Sequence, residues 1–98
     1  MGFTEVKSKV INCLNSGFVL HEQRGNIDIK NLLSTGAISA SEVANIIGRA
    51  RGNCYSCSPH HFDANIDVHV IKTTLSGHNW YIKWYFVEPD CVFISVHS

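Results

Sequence analysis

The sequence predicts a single α+β domain in which N-terminal helices pack on one face of a C-terminal antiparallel β-sheet. Two observations lead there. Apolar residues recur every three to four positions in the first half of the chain and every two in the second, with the change near Gly52. The chain also has only 98 residues, too few for two cores of ordinary size. Its 45% hydrophobic and 16% charged content supplies core material and separates it from charge-rich disordered chains. One domain over residues 1–98 is expected, helical over about 4–51 and a β-meander over about 66–97.

Between Thr4 and Ser16 the apolar positions Val6, Val10, Cys13 and Leu14 form one helical face, and Gly17 stops the helix. A short apolar piece, Phe18-Val19-Leu20, precedes the break at Gly25-Asn26, and Ile27 to Leu33 reads as a short helix of about two turns. Ser39 and Glu42 have capping-box spacing: the serine oxygen takes an orphan amide and the glutamate reaches back. Val43, Ile46, Ile47 and Ala50 give the next helix its buried face. Ile66–Lys72, Asn79–Val87 and Cys91–His97 are β-branched or aromatic runs of strand length, separated by turn sequences at Leu75–His78 and Glu88–Asp90.

Strand parity sorts the side chains. Trp80, Ile82, Trp84 and Phe86 share one face and Tyr81, Lys83 and Tyr85 the other. The same alternation sends Ile66, Val68, Val70, Val92, Ile94 and Val96 to the core. It leaves Asp67, His69, Phe93, Ser95 and His97 on the opposite, polar face.

Eight Lys+Arg balance eight Asp+Glu, so net charge offers no global attraction to nucleic acid or anionic membrane. Residues 1–52 hold six basic against four acidic side chains, and residues 53–98 two against four. No apolar stretch reaches membrane-spanning length and the N-terminus lacks a secretion-signal pattern, so a cytoplasmic location with reduced cysteines is expected.

The Tyr, Lys and His groups of the polar face suit metal-independent RNA cleavage. A base takes the ribose 2′-hydroxyl proton, a cation steadies the phosphorane, an acid protonates the leaving oxygen and a ring stacks on a nucleobase. Tyr81, Lys83, His97 and His69 are the catalytic candidates, with Tyr85, His60, His61 and Lys72 as substrate-binding residues. No cofactor is needed for this chemistry. Against it stands the ordinary solvated face that antiparallel sheets carry. Cys54 and Cys57, followed by His60 and His61, have the spacing of half a zinc site, but no second pair completes a tetrahedron. A loop of partly buried thiols is favoured there, with no metal.

Several strings stand in a familiar order. Val6-Lys7-Ser8-Lys9-Val10 with Asn15-Ser16-Gly17 forms a first helix and its end, and Val43 to Gly48 the helix before a loop. Cys54 to Ser58 fills that loop, and Ile66-Asp67-Val68, Trp80 to Lys83 and Phe93 to His97 mark three strands. Over Val6 to His97 the chain resembles MqsR-type toxins of bacterial toxin–antitoxin systems, small ribonucleases of RelE-like fold that cut messenger RNA. The resemblance implies an endoribonuclease toxin with mRNA and a cognate antitoxin as partners, no membrane, and a homodimer among the allowed assemblies. Tyr81 and Lys83 match the family's strand tyrosine and lysine. His97 replaces a functional lysine, Ser56 stands for a loop lysine, and Ile66 lies near the family's glutamine position. The rival expectation is a non-catalytic protein- or small-ligand-binding module of a mobile element that retains the fold.

Overall fold

The structure is a computed structural model, which describes residues 2–22, 31–60 and 62–98. Its elements are helix α1 (Phe3–Ser16), strand β1 (Val19–His21), helices α2 (Leu32–Thr35) and α3 (Ala40–Arg49), a 3₁₀ turn at Gly52–Cys54, and strands β2 (Tyr55–Pro59), β3 (Asp67–Leu75), β4 (His78–Val87) and β5 (Asp90–His97). The strands form one five-stranded sheet in the order β1-β5-β4-β3-β2, antiparallel except for β1, which runs parallel to β5. The α+β class holds, but the helix-then-sheet order is broken by β1, which lies between α1 and α2. The sheet is mixed and wider than the expected meander, because β1 and β2 add one strand at each edge.

Local chemistry accounts for the helices. α1 buries Val6, Val10, Cys13 and Leu14, the face its spacing predicts, and ends where Gly17 takes φ 80° and donates its N–H to the Cys13 carbonyl. At the start of α3 the Ser39 oxygen accepts the Glu42 N–H at 3.1 Å. Val43, Ala44, Ile46 and Ile47 then turn inward. The expected helix from Ile27 to Leu33 lies over residues 27–30 outside the described residues, and α2 begins only at Leu32. Asn31 ties this region to the sheet, giving its side-chain amide to His21 Nδ1 and the Phe93 carbonyl while its oxygen caps α2 through the Ser34 N–H. No helix among the described residues is long and apolar enough to cross a membrane.

The β3–β4 hairpin closes through Ser76 and Gly77, both at positive φ, with Leu75 facing His78. That is the two-residue loop whose twist suits flanking strands. The strand after it carries the heart of the core. Trp84 and Ile82 are fully buried against Ile71, Phe93, Cys91 and Val96, under Val6, Val10, Val43 and Ile47 from the helices.

Parity fails on two of the three strands. Val68 and Val70 form, with Ile94, a second small core on the face away from the helices, packed by Tyr81 and Tyr85. His69, Ile71, Cys91 and Phe93 pair with or beside Trp84 on the helix face. Four successive residues of β3, Val68 to Ile71, are buried, so alternation carried no signal there. In β5 a bulge is the cause: Trp84 pairs with Phe93 and Lys83 with Ser95, leaving Ile94 as the extra residue. Parity flips across it, so Val96, Ser95 and His97 lie where expected while Val92, Phe93 and Ile94 do not. Trp80, Ile82, Trp84 and Phe86 do contribute to the helix-side core as expected.

The segment from Cys54 to Pro59, expected as a loop, is largely an edge strand. Its five residues pair with Asp67 to Ile71 of β3. Pro59 at its end is tolerated because an edge leaves one backbone side unpaired.

Candidate functional site

On the face away from the helices, β4 presents Tyr81, Lys83 and Tyr85 between its two neighbours. Register sets the rows: Tyr81 lies between Lys72 of β3 and His97 of β5, and Lys83 between Val70 and Ser95. The Tyr81 and His97 rings stack at 5.2 Å between centroids with planes 18° apart. Lys72 Nζ lies 5.7 Å from the Tyr81 ring centroid, within cation–π reach. Tyr81, Lys83 and His97 are half-buried and Lys72 is exposed. Five of the candidate residues, Tyr81, Lys83, Tyr85, Lys72 and His97, thus share one surface, over a floor made by Val68, Val70 and Ile94. Stacked aromatic rings flanked by two lysines suit a nucleobase with its phosphates, and an imidazole and a phenol in contact offer two groups able to exchange protons.

Tyr85 continues the row toward the other end of the sheet. There His60 meets it edge-on at 4.9 Å between centroids. His60 is only 8% exposed, so it supports Tyr85 from within rather than standing free for a substrate. Its Nδ1 accepts the Phe62 N–H at 3.0 Å, which leaves Nε2 to carry the proton in the neutral ring. Nε2 faces Glu22 Oε1 at 3.6 Å, a carboxylate that follows β1 at the far edge of the sheet order. Spacing alone offered no hint of that meeting. His61 lies outside the described residues.

His69 is the clear correction. Expected on the polar face, it is buried on the helix side opposite Trp84 and cannot join Tyr81 and His97. Its Nδ1 lies 2.7 Å from the Tyr55 hydroxyl, and the two rings stack at 5.9 Å. Burial lowers its proton affinity from the ordinary 6.5, with Asp67 opposing the shift and Lys9 adding to it. Burial lowers His21 as well, and raises the Tyr55 hydroxyl to about 12, with Cys57 and Asp67 pushing the same way.

The two depressed histidines give a pH prediction. Below pH 6.5 the unfolded chain takes up protons that folded His21 and His69 refuse. Their stabilisation is therefore complete above 6.5 and is lost as pH falls through their folded values. The urea midpoint should drop between pH 7.5 and pH 5, and drop less in His69→Gln; an equal drop in both proteins would remove His69 from the account.

The sulfur-rich segment divides. Cys57 is exposed on β2 opposite His69, and Cys54 is half-buried in the 3₁₀ turn. Among the described residues no three His, Cys, Asp or Glu side chains are grouped to hold a metal ion. The sequence matches no protein-family model and no curated protein.

Proposed function

We propose that the chain is a metal-independent endoribonuclease toxin of RelE-like, MqsR-like type, acting on messenger RNA in the cytoplasm and neutralised by an antitoxin protein. One observation carries this reading: Tyr81 and His97 stack within one row with Lys72, and Lys83 stands in the next. A base laid on the ring pair brings its phosphate to the lysines.

In this reaction His97 takes the proton of a ribose 2′-hydroxyl as its oxygen attacks phosphorus. Lys83 and Lys72 stabilise the charge gathering on the phosphorane, and the Tyr81 hydroxyl gives its proton to the departing 5′-oxygen. The products are a 2′,3′-cyclic phosphate and a 5′-hydroxyl. Phosphate attraction from two lysines also makes binding weaken with salt.

The test is end-mapping of single-stranded RNA incubated with purified protein and chelator. Cleavage leaving cyclic phosphate ends, abolished by a single 2′-deoxy substitution at the cut, is the expected result. Intact RNA, with saturable binding of a protein or small ligand at the same face, would leave the non-catalytic module instead.

A further inference from the structure

The face away from the helices carries its rings at two stations rather than one. Tyr81, Lys83 and Tyr85 alternate along β4, so all three stand on that face, each half-buried. The two tyrosines are four residues apart, about 13 Å along an extended strand. The first station is the Tyr81–His97 stack, with 5.2 Å between centroids. The second is Tyr85, which the buried His60 ring meets edge-on at 4.9 Å. Both tyrosines rest on the floor of Val68, Val70 and Ile94.

Between the stations lies a saddle. Lys83 pairs with Val70 on one side and Ser95 on the other, side chains too short to reach the height of a tyrosine ring. Its ammonium has no ion-pair partner among the described residues. The order along the strand is therefore ring, cation, ring, which matches base, phosphate, base along a nucleic-acid strand. Distance decides which bases. Stacked neighbours in a duplex strand are about 3.4 Å apart, so the stations are separated by nearly four such steps. Bases that stay stacked on each other reach only one ring. A strand that reaches both is unstacked, with its bases splayed toward the sheet, and that is the form in which single-stranded RNA is read.

We propose that this face binds RNA as an unstacked single-stranded trinucleotide, its two end bases lying on the Tyr81–His97 and Tyr85 stations and its middle base turned to solvent while the phosphates meet Lys83. The inference rests on the RNA reading of the same face and adds the form of RNA that it takes. One sugar–phosphate linkage is too short to bridge the stations, and two suffice. Because every base has a π-face, the two rings select spacing and single-strandedness rather than base identity. Duplex RNA is rejected by shape, since its paired bases cannot open over the rings.

The experiment measures, by fluorescence anisotropy, binding of labelled 2′-fluoro trinucleotides, which lack the 2′-hydroxyl and so stay intact. An abasic nucleotide at either end should weaken binding about tenfold, the scale of one lost base–aromatic stack, whereas an abasic middle nucleotide should leave it nearly unchanged. Tyr85→Leu should remove the penalty at one end and keep it at the other. Lys83→Gln should lower the slope of log affinity against log salt by about 0.7, the value for one phosphate contact on a single strand. Equal penalties at all three positions, or a duplex that competes as well as the single strand, would overturn the two-station register and leave RNA as the substrate. The expected pattern without cleavage of unmodified RNA would support the register and overturn the catalytic reading alone; no binding of any trinucleotide would overturn both. The abasic scan uses the wild-type chain, so it decides the register even where Tyr85→Leu fails to fold.

Discussion

The proposed RNA cleavage, and the growth arrest it would bring on expression, are expected to be abolished when Tyr81 and His97 are together replaced with alanine. The two rings stack on each other, so each single change leaves its partner displaced as well as removing one proton-transfer group. A loss of about a thousandfold in cleavage rate is the scale for removing positioned acid and base groups. Growth and RNA integrity are followed in parallel under tight repression and induction. Because Tyr81 also packs the smaller core with Val68, Val70 and Ile94, the pair Tyr81→Phe and His97→Gln is run beside it. These keep the ring and the bulk while deleting the hydroxyl and the imidazole. Undiminished arrest in the double alanine variant would remove this face from the mechanism; loss in the conservative variants as well would locate the effect in chemistry rather than in packing.

Trp84→Ala is expected to cost about 3–5 kcal/mol, the range for truncating a fully buried large aromatic. A domain of this class holds only about 5–15 kcal/mol in total, so urea unfolding should shift to very low midpoints or the protein should fail to accumulate. Trp84 is 0% exposed and touches both neighbouring strands, through His69 of β3 and Phe93 of β5. Its indole nitrogen has no hydrogen-bond partner among the described residues. Trp84→Phe therefore forfeits volume without forfeiting a bond and should lose much less. Near-equal costs for the two variants would show that the indole, not the packed volume, matters at this position.

What the sequence made legible follows physical lines. Helix α1, its glycine stop, the Ser39 cap and the three long strands each write a local signal, and each is present. Tyr81, Lys83, Lys72 and His97 do meet on one face, since they lie on neighbouring rows of adjacent strands. His69 was misread because alternation presumes one wet face, whereas residues 68–71 are buried on both. The bulge at Ile94 is set by pairing across the sheet and leaves no mark in the run Cys91–His97. Tyr55 and Cys57 became relevant only once β2 was seen as a strand, because only register places them against His69. A clue existed in the alternation of Tyr55, Cys57 and Pro59 with two serines, but five residues are too few for periodicity to decide.

The parallel seat of β1 beside β5 has a consequence for how the molecule forms. Residues 19–21 must find residues 91–93 across the length of the chain, a non-local step that hairpin formation elsewhere in the sheet does not require. Until it is made, β5 offers a bare edge carrying Cys91, Val92 and Phe93, apolar side chains with unpaired amides beside them. The Cys91 N–H reaches the Phe18 carbonyl and the Glu22 N–H the Phe93 carbonyl, clamping the three-residue strand at both ends. This short strand covers the β5 edge, so substitutions that weaken it are expected to bare that edge and to show as aggregation on refolding.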